Sequence, residues 1–438
     1  MLREELTGIE IIDEPAQLEK LSQDYLYFSP ILQPLLAKKR AHLVARPSNE
    51  AEVIRVASVC AKYRVPLTVR GAGTGNYGQC VPLKGGVVLD MTKMSSIKSI
   101  DKGIAHVEAG AKMWHIEREA RKLGYELRMF PSTVKTATIG GFIGGGSGGI
   151  GSLRYGQLRD RGNLQKVRVI SLTENPQIIE LEGEAVQQVN HAYGTNGIIT
   201  ELVIPLGVAV EWYSAIAVFQ DFMTCARFGQ TLGNCDGIVC RMISVHSAPI
   251  PSYFIPLQNY VGERQSCALI LIAENDVFTL QELVKDCGGQ LTYSKPAAEG
   301  ISLFEFSWNH TTLHARTAQP DITYLQALFV DDPQLQKVEH LYHKFAGEVF
   351  MHLEFIRMQG KVIPAAIPLV HFTTVERINE IIHYWENLGV LIANPHTYIL
   401  EDGGMKSIDE QQLAFKKRVD PYNLMNVGKM RAALENYS

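Results

Sequence analysis

RGAGTGNYGQ at residues 70–79 follows the apolar run PLTV at 66–69 and spaces Gly73, Gly75 and Gly78 in the Gly-x-Gly-x-x-Gly pattern of a dinucleotide fingerprint. A doubly wound nucleotide fold would also use Asp90, at the end of GVVLD, as the acid that holds a ribose. The next residues exclude that reading. The fingerprint needs a helix after its third glycine, whereas the chain runs through QCVPLKG at 79–85, which contains Pro82 and is too short for a crossover of about a dozen residues. The glycines therefore form a loop. Such a loop binds an anion when its N–H groups converge without side chains in the way, and Arg70, Thr74 and Asn76 add donors. The same residues equally suit a tight turn, so this segment alone leaves both a ligand loop and a structural turn open.

A second segment weighs toward a ligand. PSTVKTATIGGFIGGGSGGIGSLRYG at 131–156 carries nine glycines between Gly140 and Gly156. In regular structure each costs roughly 0.5–1 kcal/mol relative to alanine, a load suited to backbone that passes close to something flat or rigid. No Gly-Lys-Ser/Thr follows, which excludes a Walker-type phosphate loop.

These two segments, followed by YGTNGIITELVIPL at 193–206, resemble the FAD-binding domain of the vanillyl-alcohol oxidase superfamily, the PCMH type. They are similar in particular to its FAD-linked oxidase and dehydrogenase branch, which includes glycolate oxidase subunits and D-lactate dehydrogenases. The resemblance covers about residues 37–207 and implies an α+β protein. Its expected parts are an N-terminal arm at 1–36 and a PCMH-type FAD-binding domain of two α+β subdomains at 37–207. An α+β substrate domain at 208–400 follows, an antiparallel sheet with helices on one side, and a C-terminal segment at 401–438 returns to the flavin domain.

Carried over residue by residue, Gly71, Gly73, Thr74, Gly75, Asn76 and Gly78 resemble the pyrophosphate loop, with Arg70 and Gln79 at its ends. Pro131, Ser132, Thr138, Ile139, Gly140 and Gly141 resemble the segment beside the phosphates and flavin, continued by Gly144, Gly145, Gly146, Ser147, Gly148 and Gly149. Gly197, Ile198 and Ile199 resemble the strand at the adenine side or flavin edge. VDPYNLMNVGKM at 419–430 resembles the family's terminal DPxxxxNPGK element, with Val427 where proline is usual, and would bring Asn426 and Lys429 to the cofactor or to a C-terminal turn. Thr74 stands where members that attach FAD covalently commonly have histidine, and the second loop has no cysteine, so the resemblance implies non-covalent FAD.

The implied activity is that of an FAD-dependent oxidase or dehydrogenase, oxidising a small alcohol or 2-hydroxy acid by hydride transfer to flavin N5. The HxGDGNxH signature of the hydroxy-acid branch is absent from the substrate domain. That absence keeps a non-catalytic FAD-binding assembly or regulatory subunit as the alternative.

The remaining composition sets the frame. At 438 residues the chain exceeds one comfortable core, so two domains are expected, and a formal charge of -4 gives no whole-molecule argument for nucleic acid or anionic membrane. MLREELTGIEIIDE at the N-terminus and the lack of any run of about 18 uncharged apolar residues fit a cytoplasmic protein without a transmembrane segment. Seven cysteines without a CxxC pair give no disulfide framework, and no metal site is expected. The expected partners are a small-molecule substrate and, for reoxidation, oxygen, a quinone or an electron-acceptor protein, with oligomerisation left open. Hydrophobic periodicity places helices near 50–63, 112–123, 220–232, 277–287, 334–345 and 375–388. Strand-like runs fall at 66–69, 86–90, 105–108, 168–172, 178–181, 198–204, 237–245, 267–273, 349–358, 361–364 and 390–393.

Removal of a substrate hydroxyl proton calls for a base near neutral pKa, which points to histidine. His396, in the proline-containing loop NPHTYILEDGG, is the first choice, with an exposed loop histidine as its alternative. Tyr398 is a second hydroxyl donor. Arg357 suits a carboxylate grip or a structural salt bridge, and in an extended run it faces away from His352 and Glu354. His310 and His314 lie four apart without an HExxH pattern, which favours packing over a metal site.

Overall fold

The computed structural model describes residues 2–146, 148–404 and 406–436. Its first sheet has four strands. Leu43–Arg46 and Leu67–Arg70 flank Val87–Asp90 in parallel, and Glu50–Lys62 is the helical crossover that this parallel pairing requires. Asn49 caps that helix by accepting from the Glu52 N–H, and Val53, Val56, Ala57 and Cys60 bury its apolar face. The N-terminal arm contributes a strand, Glu10–Ile12, which pairs antiparallel with Leu43–Arg46 at the edge of the sheet. No helix lies between Leu67–Arg70 and Val87–Asp90, so the first glycine motif is a loop. The Asp90 carboxylate is committed within the chain, accepting from Arg46 Nε and from the Thr92 N–H.

The second sheet is antiparallel and centred on the long strand Ile198–Val208, flanked by Ile104–Glu108 and Lys166–Ile170. Ile97–Asp101 and Ile178–Glu182 form its outer strands, and Tyr125–Leu127 pairs with the far end of the central one. The two sheets give the first domain two α+β halves.

The second domain is an eight-stranded antiparallel sheet in the order Gln290–Pro296, Trp212–Phe219, Ser266–Ala273, Cys240–His246, His352–Met358, Lys361–Ala366, Ala327–Leu328, Leu391–Ile392. Alternation divides its faces. Ala215, Ala217, Phe219, Ala268 and Ile270 pack under the helices Phe222–Gly233, Val277–Asp286, Gln336–Lys344 and Val375–Asn387. The intervening Ile216, Val218, Leu269 and Leu271 share a core with Leu127, Phe130 and Leu206 of the first domain. One expected strand divides: the run at 349–358 breaks at Met351, so that Val349–Phe350 joins Leu369–His371 in a small sheet while His352–Met358 enters the large one.

The tail returns to the first sheet. Leu67 donates to Leu424 O and accepts from the Asn426 N–H, which bridges the turn to the free edge of Leu67–Arg70. Lys416 and Asp420 hold that turn from inside: the Asp420 carboxylate accepts from the Leu424 and Met425 N–H groups and from the buried Lys416 ammonium.

Candidate functional site

A cleft of about 550 Å³ runs between the glycine segments of the first domain and the strand ends of the second. The second glycine segment is not wholly loop. Thr138 opens a short helix, Ile139–Gly145, whose Ile139, Phe142 and Ile143 point into the core at i, i+3 and i+4. Gly140, Gly141, Gly144 and Gly145 occupy the other side and line the cleft, so the helix presents a face with no side chains. A Cβ on Gly144 would meet no heavy atom within 4 Å although the residue is half-buried, so the space before it belongs to the cleft. Gly71 serves a different purpose: a methyl group there would collide with Thr138 Oγ1, so its hydrogen lets the two glycine segments touch.

Around this face the cleft is lined by Gly71, Gly73, Thr74, Gly75, Asn76 and Gln79 from the first loop. Pro131, Ser132, Thr138, Gly146, Gly148 and Gly149 line it from the second segment, and Gly197 and Ile199 from the third. Ser147 lies outside the described residues. Gln157 Oε1 is a buried lining atom without a partner. A ribbon of bare backbone beside unpartnered polar groups fits an extended dinucleotide carrying a flat ring system.

Six residues expected at the cofactor, Arg70, Gly78, Ile139, Ile198, Asn426 and Lys429, stand behind this lining rather than in it. Ile139 and Ile198 face the core. The Arg70 guanidinium lies under the first loop and donates to Gln23 O at 2.6 Å, to Cys80 Sγ and to Ala72 O, so it braces the loop from within the chain. Asn426 Nδ2 donates to Gln79 O at 2.8 Å and to Tyr193 O, tying two cleft-lining segments together from the rear. Lys429 is fully buried and donates to Gly78 O, the carbonyl of a loop glycine that is itself turned away from the cleft. Burial pulls the Lys429 ammonium down to about 8, opposed by the charge of Asp24, and pushes the Asp24 carboxyl up to about 6. Asp24 belongs to the N-terminal arm, whose Tyr25 N–H also donates to Gly75 O at 2.8 Å. Arm and tail therefore clamp the phosphate-loop candidate from beneath. The arm's part had no signal in the sequence beyond a polar Gln-Asp pair in an apolar stretch.

The facing wall comes from the second domain. Leu328, Ile356 and Ala365, from three adjacent strands, form one apolar patch with Trp308. Trp308 holds a left-handed φ of 50° at the start of the helix Asn309–Ala318, and its N–H donates at 2.7 Å to the buried Glu354 carboxylate. Glu354 also bonds Ser244 and His352, and His246 stacks on the His352 ring at 4.4 Å. This cluster fixes the helix that brings Asn309, His310 and Leu313 to the cleft. Burial lowers the His310 imidazole to about 4, so the ring is neutral near pH 7. The Tyr77 hydroxyl faces Tyr324, Gln326 and Asn309, and burial raises it to about 12.

The three residues expected to be catalytic lie elsewhere. His396 is buried beside the arm, with Nδ1 2.8 Å from Ser29 Oγ, while its neighbours Ala393 and Asn394 line the cleft. Burial lowers its ring to about 4. Tyr398 packs with Leu36 and Val81 beneath the first loop. Arg357 does face oppositely to Glu354, but it lies outside the cleft lining and donates to Leu153 O at 3.1 Å and Gly360 O at 3.0 Å. His314 Nε2 donates to the Glu305 carbonyl at 3.0 Å, and its ring stacks on Phe306. Among the described residues no group of three His, Cys, Asp or Glu side chains is arranged to hold a metal ion.

Comparison with known proteins assigns the glycine side. Residues 41–180 match the family described as an FAD binding domain. The chain is 32% identical over 248 residues to glycolate oxidase subunit GlcD of Bacillus subtilis, covering 53% of this chain and 51% of that protein. It is 30% identical over 206 residues to a D-lactate dehydrogenase of Anaerostipes hadrus, covering 44% of this chain and 42% of that protein. The matched region is about half the length of these curated relatives. Among solved structures, an alkyldihydroxyacetonephosphate synthase superposes with a TM-score of 0.74 at 15% identity, covering 98% of this chain and 85% of that one. A Physcomitrella patens BBE-like 1 variant superposes at 0.68 and 13% identity, covering 98% of both chains. The fold is thus α+β with a PCMH-type FAD-binding domain, and FAD is the cofactor of that domain.

Proposed function

We propose that this chain is an FAD-dependent oxidoreductase, an oxidase or dehydrogenase that takes a small alcohol or 2-hydroxy acid. The observation that carries this reading is the side-chain-free helix face of Gly140, Gly141, Gly144 and Gly145, set opposite an apolar wall with a few polar groups. Gly140, Gly141, Gly144 and Gly145 would hold FAD non-covalently, with Gly71 to Asn76 offering backbone donors for its phosphates and Gly197 and Ile199 bounding it. When bound, FAD supplies the two-electron acceptor, taking a hydride at flavin N5.

The chain supplies placement. Tyr77, Asn309 and Gln326 orient the substrate hydroxyl, and Leu313, Leu328 and Ile356 exclude water from it. His310 is the imidazole that the second domain brings to the cleft, and its neutral ring accepts a hydrogen bond from the substrate hydroxyl, with burial holding its basicity at about 4, below the near-neutral value of a strong general base. His396 is withdrawn as the base because its ring is turned into the arm. The names of the relatives support the reaction class, and seven free cysteines, five of them buried, support a reducing, cytoplasmic setting. Reoxidation falls to oxygen, a quinone or an acceptor protein, and no helix among the described residues is long and apolar enough to cross a membrane.

The test is anaerobic addition of a panel of alcohols and hydroxy acids to the FAD-loaded protein. Bleaching of the flavin by at least one of them is expected. A non-catalytic FAD subunit is the second reading, favoured because His396, Tyr398 and Arg357 all face away from the cleft; FAD bound but bleached by no compound would establish it in place of the first.

A further inference from the structure

We infer that the substrate is a neutral alcohol with an apolar body rather than a hydroxy acid, an inference that rests on the oxidoreductase reading above. The wall that faces the glycines is aliphatic, with Leu328, Ile356 and Ala365 side by side. Its polar groups are uncharged. Tyr77, Gln326 and Asn309 offer a hydroxyl and two carboxamides, and Asn309 Oδ1 is buried without a partner, an acceptor suited to a substrate O–H.

Formal charge tells the same way. Among the described lining residues only Lys135 and Glu305 carry one, and they pair with each other at the mouth, half in solvent. His191 and His310 line the cleft as neutral rings, both lowered to about 4 by burial. A carboxylate entering this site would shed its water beside the Asn309 acceptor without an unpaired cation to receive it. A neutral body loses nothing comparable and gains the aliphatic wall.

Matched compounds isolate the carboxylate. Acetophenone and phenylglyoxylate are the oxidised partners of 1-phenylethanol and mandelate, and each pair differs by a carboxylate in place of a methyl group. Titrated calorimetrically into the FAD-loaded protein at pH 7, acetophenone is expected to bind at least about tenfold more tightly than phenylglyoxylate. Leu313→Arg, which places a guanidinium on the lining, is expected to narrow or reverse that ratio. Equal or tighter binding of phenylglyoxylate by the unaltered protein, or binding of neither ketone, overturns the inference. Binding of acetophenone with no anaerobic bleaching by either alcohol overturns the oxidoreductase reading instead and leaves the neutral-ligand preference standing.

Discussion

Replacing Gly144 by leucine separates a glycine kept for a ligand from one kept for the fold. Gly144 sits in the last turn of the helix Ile139–Gly145, and an added Cβ meets nothing within 4 Å. In the ligand-free protein the substitution removes glycine's entropic cost in a helix. The gain is about 0.5 kcal/mol, toward the lower end of the range because the position is terminal. With FAD present the side chain stands where the cofactor must lie. FAD at about one hundred times its Kd stabilises a binding-competent protein by about 2.7 kcal/mol, and Gly144→Leu should lose nearly all of that increment. The assay is unfolding of both proteins with and without FAD. A full FAD-dependent shift in the variant would refute the placement of the cofactor. A ligand-free loss above about 2 kcal/mol would show that the position is filled by packing instead.

Other expectations test the clamp and the buried histidines. Lys429→Met removes a buried positive charge that acts on Asp24 at a distance and releases Gly78 O, costing about 1–3 kcal/mol for the unpaired carbonyl; unfolding curves and FAD titration should both respond, and Asp24→Asn added to it should restore part of the stability. Asn426→Ala cuts the ties to Gln79 and Tyr193 and should raise the FAD Kd about tenfold or more, read by flavin fluorescence; unchanged affinity would make the tail a bystander. His191, His310 and His396 have folded values of about 4 against an ordinary 6.5, so their contribution to stability is present above 6.5 and is lost as pH falls through that interval toward 4. His396→Gln should therefore reduce the slope of stability against pH by about 1.2 kcal/mol per unit near pH 5, seen in denaturant titrations, while leaving anaerobic flavin reduction unchanged.

The cofactor half of the site was legible because its signal is local. QCVPLKG cannot hold a helix, and glycine density marks backbone that must stay bare. The helix within the second segment was also written there, in the i, i+3, i+4 spacing of Ile139, Phe142 and Ile143, but the glycines around it masked a three-residue apolar stripe. The substrate half was not legible. Its wall joins Asn309, Gln326, Leu328, Ile356 and Ala365 from separate elements, and which loop histidine reaches the cleft depends on where Trp308 turns, not on proximity to a strand end. His396 satisfied every local criterion for a base, yet Ser29, 367 positions earlier, claims its ring. The same distance effect hid the role of Asn426 and Lys429: the terminal motif pointed to the flavin, whereas their side chains reach the backs of the loops that would hold it.

Titration of flavin-free protein with FAD, followed by acid precipitation, tests most directly whether the glycine-faced cleft is a non-covalent FAD site. Saturation at one FAD per chain, with all the yellow colour released to the supernatant, is the expected result. Absence of saturable binding, or colour that stays with the precipitated chain, would contradict it.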